Sequence, residues 1–173
     1  MSNNEAGERP GGNLNHHLPY DDLREWIAEA ERLGELRHVT GANWQEEIGM
    51  AAELVSHSDD APAVLFDDVP GCASGFRVLT NIFAAKRKNM TLGFPDHLSK
   101  TELSNAYADV YSHDSGLIPP VFVDDGPVFQ NVIEGDDVDL EIFPTPVWHE
   151  DDGGRYIGTG SYNITQDPDE GWY

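Results

Sequence analysis

Residues 143–173 read FPTPVWHEDDGGRYIGTGSYNITQDPDEGWY, and this stretch decides how the rest of the chain is organised. Pro144 and Pro146 stiffen its start, because a fixed φ and a missing N–H keep the backbone extended. An acidic, glycine-bearing loop follows at 150–154. Tyr156, Gly158, Gly160, Tyr162 and Ile164 then alternate with Ile157, Thr159, Ser161, Asn163 and Thr165, the period of two that marks a strand with two different faces. Two glycines on one strand face mean that a backbone or a flat ligand comes close. The DPDEG at 167–171 is a turn, and Trp172 and Tyr173 begin a returning strand. A hairpin with so little of its second strand leaves an unpaired edge and an open apolar face. Residues beyond Pro120 are therefore expected to be disordered or aggregation-prone in the isolated chain.

Working back from this stretch, the chain changes character near residues 116–120, where Pro119 and Pro120 close a section of interleaved helical and strand patterns. Before that boundary, Asp21 or Asp22 caps a helix carrying Leu23, Trp26, Ile27, Ala30 and Leu33 on one face, with Gly34 as its C′ residue. Residues 36–39 predict a short strand. Asn43 caps a second helix carrying Ile48, Ala51, Ala52 and Val55, and the apolar run 63–66 predicts a central strand. The PGCASG turn at 70–75 leads to a strand over 76–83. Lys86, Arg87 and Lys88, the basic cluster of the chain, either assist a helix starting after Ala85 or face an acidic partner. Ser99 or Thr101 starts a further helix through Leu103, Ala106, Tyr107 and Val110. After the boundary, strand and turn signals take over at 121–123, 128–134 and 135–140. The fold class is therefore α/β (α+β). A flexible polar arm over 1–19 precedes an N-terminal α/β domain over 20–118, and the incomplete start of a β-rich domain follows over 119–173.

Ten Lys and Arg stand against 32 Asp and Glu, a net charge of −22. Such a surface repels phosphate backbones and anionic lipid, which excludes nucleic acid and membrane as partners. It also repels itself, and the Debye length shortens to about 3 Å at 1 M salt. The melting temperature is accordingly expected to climb between low salt and molar KCl; a flat or falling value would leave the charge only a role in solubility. A single cysteine, Cys72, excludes an internal disulfide and a multi-cysteine metal site. No apolar run reaches membrane-spanning length and no signal core precedes the first helix, so the sequence reads as cytoplasmic.

Chemistry legible from residue types alone is sparse. The chain lacks a phosphate-cradling glycine loop, a nucleophile elbow and an HExxH pair. His16 and His17 are adjacent, and adjacent side chains seldom face one ion. The same objection holds for His149, Glu150, Asp151 and Asp152, read either as a hard-metal cluster or as an acid/base cluster.

A series of motifs adds a more specific reading. DLREWI (22–27) with GEL (34–36), PAVLF (62–66), NIF (81–83), PPV (119–121), DVDL (137–140), FPTPVWH (143–149) and DGGRYI (152–157) occur in that order. From about Asp21 onward the series resembles the UbiD family of decarboxylases. The resemblance implies a lyase that removes or adds CO2 on an aromatic, heteroaromatic or α,β-unsaturated carboxylic acid through an adduct with prenylated FMN. It further implies Mn2+ and K+ at the cofactor phosphate and a central split β-barrel, of which residues 119–173 are the beginning. Thr159 carries over to the strand position lining the substrate end of the flavin pocket. Ile157 joins it in the substrate pocket, and Gly158 and Gly160 carry over as cofactor-binding wall. The family's metal-binding Asn would follow directly after Tyr173, and its Arg, His and Glu later still. The resemblance therefore implies no catalytic or metal-binding residue within these 173 positions, and a chain inactive by itself.

Three roles stay open at this point. The chain is the N-terminal part or one subunit of such an enzyme, with the remainder or a second subunit as partner and an oligomer when complete. Alternatively it is a non-catalytic assembly subunit that keeps the fold, or a small flavin-binding module.

Overall fold

Ala63, Val64, Leu65 and Phe66 present no polar side chain to either side, so the strand they form needs cover on both faces. The computed structural model describes residues 18–58, 60–85, 87–111, 119, 121–158, 162 and 164–172. In it β2 (Ala63–Asp67) lies between β1 (Leu36–Thr40) and β3 (Val78–Thr80). β1 runs parallel to β2, from Leu36 beside Ala63 to Thr40 beside Asp67. β3 runs antiparallel, with Val64 opposite Thr80 and Phe66 opposite Val78.

The period of two in β2 feeds two cores. Ala63 and Leu65 pack with Trp26, Ala30 and Leu36 under α1 (Leu23–Arg32). Val64 and Phe66 pack with Ile48 and Val69 under α2 (Glu47–Ser56). Asp22 caps α1, its carboxylate accepting from the Arg24 and Glu25 amides at 2.7 and 3.0 Å, and Gly34 follows the helix at φ 72°. Those amides hold the Asp22 carboxyl below its ordinary pKa. Asn43 acts one turn earlier than expected: its side-chain oxygen accepts from the Gln45, Glu46 and Glu47 amides and shapes the turn that leads into α2.

The strand expected over 76–83 is shorter. It stops at Thr80 because Asn81 adopts φ 61°, outside the β region, and its amide donates to the carbonyls of Ala61 and Pro62. At the basic cluster the helix expected after Ala85 is formed. Arg87 opens α3 (Arg87–Thr91) but is fully buried at the end of the sheet where β1 and β2 begin and β3 stops, and Lys86 lies outside the described residues. α4 (Lys100–Tyr111) begins with a capping box, in which the Ser99 amide and hydroxyl donate to Glu102 and the Ser99 hydroxyl accepts from the Glu102 amide. Leu103 and Ala106 of α4 bury Phe94 in a third, smaller core.

Beyond residue 119 the sequence pattern misled. The strands expected at 121–123 and 128–134 are not formed, and among the described residues no strand follows Thr80. Short 3₁₀ turns occur instead at Pro127–Phe129, Gly135–Asp137 and Leu140–Ile142. A strand exists only when a neighbour accepts its ladder hydrogen bonds, and here the backbone bonds of 126–143 are local, as from Phe129 N to Gly126 O and from Val138 N to Gly135 O. Alternation therefore marked a face to be covered and could not supply the cover. Val121, Phe122, Val128 and Leu140 stand exposed, Phe122 at 95%. Limited proteolysis is expected to cut within 121–142 before it cuts α1 or β1–β3; equal resistance of the two regions would contradict this. Residues 1–17 of the expected arm over 1–19, and 116–118 and 120 of the expected boundary region 116–120, lie outside the described residues. Among the described residues, no helix is long and apolar enough to cross a membrane.

Candidate functional site

The FPTPVW segment leaves the local turns behind and docks on the α2 side of the sheet. Its two prolines are buried, the Val147 amide donates to Trp44 O at 2.9 Å, and the Trp148 ring joins the core of Ile48, Val64 and Phe66. Phe143 meets Phe76 edge to face at 5.3 Å between ring centres. The acidic loop that follows is a hairpin-like return rather than a cluster. Asp152 accepts from the Trp148 and His149 amides at 3.1 and 2.8 Å, fixing the turn. Arg155 then donates to Thr145 O and Phe143 O, at 2.8 and 2.5 Å, while its guanidinium lies 4.5 Å from the centre of the Trp44 ring. The Trp148 indole N–H closes the return on Tyr156 O at 2.8 Å.

This docking leaves a groove of about 900 Å³ between the return and the β3 edge. Phe76, Val78, Phe83, Phe143, Trp148 and Ile157 give it an aromatic and aliphatic lining, Glu53 and Arg77 supply charge, and the His149 imidazole lies at the same site. Apolar walls with few polar groups suit a flat organic ligand. His149 Nε2 lies 3.7 Å from Glu53 and its Nδ1 3.8 Å from Asp152. Burial first, and then the charge and hydrogen bond of Asp152, push the Tyr156 phenol above its ordinary pKa, so it stays protonated at neutral pH.

Ile157 and Gly158 line the groove, with the Ile157 side chain largely in solvent, and Thr159 and Gly160 lie outside the described residues. The expected strand over 156–165 is not formed at 156–158. A Cβ added at Gly158 would meet nothing within 4 Å, which leaves room for the face of a ring system such as a flavin. The fit to a metal is different: among the described residues no group of three His, Cys, Asp or Glu side chains could hold an ion. Residue-type reasoning missed the opposite wall, contributed by Phe76 and Phe83, and the seat of Trp148 on Gly49. The signal available for the latter was a glycine inside an otherwise good helix.

Comparison with known proteins agrees with this organisation. Residues 27–107 match the model of the 3-octaprenyl-4-hydroxybenzoate carboxy-lyase N-terminal domain, and residues 121–173 that of the Rift-related domain of the same carboxy-lyase. The pyrrole-2-carboxylic acid decarboxylase of Pseudomonas aeruginosa is 32% identical over 160 residues, 87% of this chain and 32% of that protein. The phenolic acid decarboxylase of Streptomyces sp. (strain D7) is 27% identical over 157 residues, 88% of this chain and 32% of that protein. Among solved structures, the Sedimentibacter hydroxybenzoicus vanillic acid decarboxylase ShVdcCD in open form, with truncated ShVdcD, superposes with a TM-score of 0.70 at 27% identity. That match covers 80% of this chain and 30% of the other. The chain thus spans about a third of the length of the curated relatives it matches. Two models of one family, met in order along the sequence and on a matching fold, are decisive: the chain belongs to the UbiD family of carboxy-lyases.

Proposed function

We propose that this chain is the N-terminal part, or one subunit, of a UbiD-like reversible decarboxylase acting on an aromatic, heteroaromatic or α,β-unsaturated carboxylic acid. The observation that carries the proposal is the docked return 143–158, which sets Ile157 and Gly158 on an aromatic-lined groove in a chain of this family. In this reading residues 20–118 are a scaffold domain and 119–173 begin the flavin-binding domain, with Thr159 and Ile157 facing substrate and Gly158 and Gly160 against the cofactor. Prenylated FMN, when bound, supplies the electron sink for loss of the carboxyl group. The chain's own share is to wall the cofactor and substrate and to exclude water from that side. Among the described residues no group of three His, Cys, Asp or Glu side chains could hold Mn2+, and no step is assigned to Mn2+ or K+. Their ligands and the proton donor are assigned to the remaining portion or to a second subunit, in a cytoplasmic oligomer.

A non-catalytic assembly role is the second reading, favoured by the exposed apolar side chains at 121, 122, 128 and 140, which suit burial against another polypeptide. One experiment separates the two. The complete protein containing this chain is assayed for bound flavin and for CO2 release over the three acid classes, beside its Thr159→Val form. That substitution keeps shape and strand preference but removes the hydroxyl. Turnover or substrate preference is expected to change in the variant while flavin content stays near normal. Absence of both flavin and CO2 release in the complete protein would favour the assembly role.

A further inference from the structure

A glycine inside a helix is unfavourable without a reason, and Gly49 lies in the third position of α2. The reason is contact. A Cβ built there would meet the carbonyl oxygen of Trp148, and would lie 2.7 and 2.9 Å from the Trp148 carbonyl carbon and Cα. All three are backbone atoms, which cannot swing aside as a flexible side-chain end would. Trp148 is thereby pressed onto α2 through its backbone and anchored in the core through its ring. Its indole N–H reaches across the return to Tyr156 O at 2.8 Å, the carbonyl immediately before Ile157 and Gly158. The Tyr156 amide in turn donates to Pro146 O at 3.4 Å. A tryptophan retained only for its bulk would need neither a glycine beneath it nor an acceptor beyond it.

The geometry points to Trp148, seated on Gly49, as the positioning residue of the pocket wall. Helix α2 sets the height of Trp148, and Trp148 sets the height of Tyr156 and hence of Ile157 and Gly158. The inference rests on the reading of Ile157 and Gly158 as wall of the decarboxylase pocket, and it adds the device that places them.

The test has two arms. In the 173-residue chain, hydrogen exchange is measured for wild type and Trp148→Phe, which keeps an aromatic ring and removes the N–H. Exchange of the Tyr156 amide is expected to rise about tenfold while the amides of β2 stay unchanged. An unchanged Tyr156 amide overturns the inference whatever the enzyme does. In the complete protein, Trp148→Phe is expected to lower kcat/KM about tenfold, the scale of one lost hydrogen bond. Gly49→Ala, which must displace the wall, is expected to lower it about 100-fold, the scale of an ångström's misplacement. Bound flavin per folded protein is expected to stay constant in both. Leu54→Ala, on the exposed side of the same helix, is expected to behave as wild type. If Gly49→Ala does not accumulate as folded protein, Trp148→Phe decides alone. Activity that falls only in step with the folded fraction, with kcat and KM per bound flavin unchanged, makes Trp148 a packing residue and overturns the inference. A wild-type protein that decarboxylates no acid refutes the proposed function, and the exchange arm still decides the positioning role.

Discussion

Arg87→Leu is expected to be the most damaging single substitution in the sheet domain. The Arg87 side chain is 0% exposed, and it donates to the Glu35 carboxylate at 2.7 Å, to Ala61 O at 2.6 Å and to Asn81 O at 2.7 Å. It thus ties the residue before β1 and the residues on either side of β2 and β3 to the start of α3. Burial pulls the guanidinium below its ordinary pKa and the Glu35 charge opposes that pull. An arginine remains charged under such opposed effects. Leucine would fill part of the space but leave a largely buried carboxylate and the Asn81 carbonyl without their Arg87 donor, while Ala61 O keeps only the Asn81 amide. Breaking a buried pair in this way costs about 3–5 kcal/mol, against a total domain stability of about 5–15 kcal/mol. The melting temperature is expected to fall by roughly 15 °C or more, at about 4–8 °C per kcal/mol for a domain of this size. Thermal unfolding followed by circular dichroism checks this, and a fall of only two or three degrees would show that the four elements are held together elsewhere.

What the sequence made legible follows what local chemistry can encode. The α1 boundaries were legible because Asp22 and Gly34 carry the cap and the stop within a few residues of the helix itself. The central strand was legible because an apolar run with no polar alternation has to be covered twice. Arg87 was not, since a Lys-Arg-Lys run looks the same whether its middle member faces water or a carboxylate and two carbonyls. The early end of β3 depended on a positive φ at Asn81, a choice fixed by acceptors about twenty residues away.

The candidate site divides along the same line. Pro144, Pro146 and the glycines of 153–158 announced an unusual backbone, and the motif series placed it in a family. The contacts of that backbone are non-local: Trp44 under Arg155, Gly49 under Trp148 and Phe76 against Phe143 join residues 67–111 positions apart. No short window of sequence contains both partners of such a pair. The failed strand expectations past residue 119 have the same origin, because alternation is a property of one segment and a ladder is a property of two.

The second large effect is an all-or-none difference in catalysis. The reading assigns to this chain one wall of the pocket and assigns the metal ligands and the proton donor elsewhere. Among the described residues no group of three His, Cys, Asp or Glu side chains could hold a metal ion, and the Ile157 side chain beside the groove is largely in solvent. Electrostatic stabilisation and proton transfer in decarboxylation both need a site closed to water, with an acid or base held within hydrogen-bond reach. The 173-residue chain alone is therefore expected to release no CO2 from any aromatic, heteroaromatic or α,β-unsaturated acid, even when prenylated FMN is supplied, and to hold that flavin weakly. The direct test is CO2 release measured side by side for the chain alone and for the chain joined to its complementing portion, with the same flavin and the same acids. The account predicts release only in the joined sample. Decarboxylation by the 173 residues alone would contradict it.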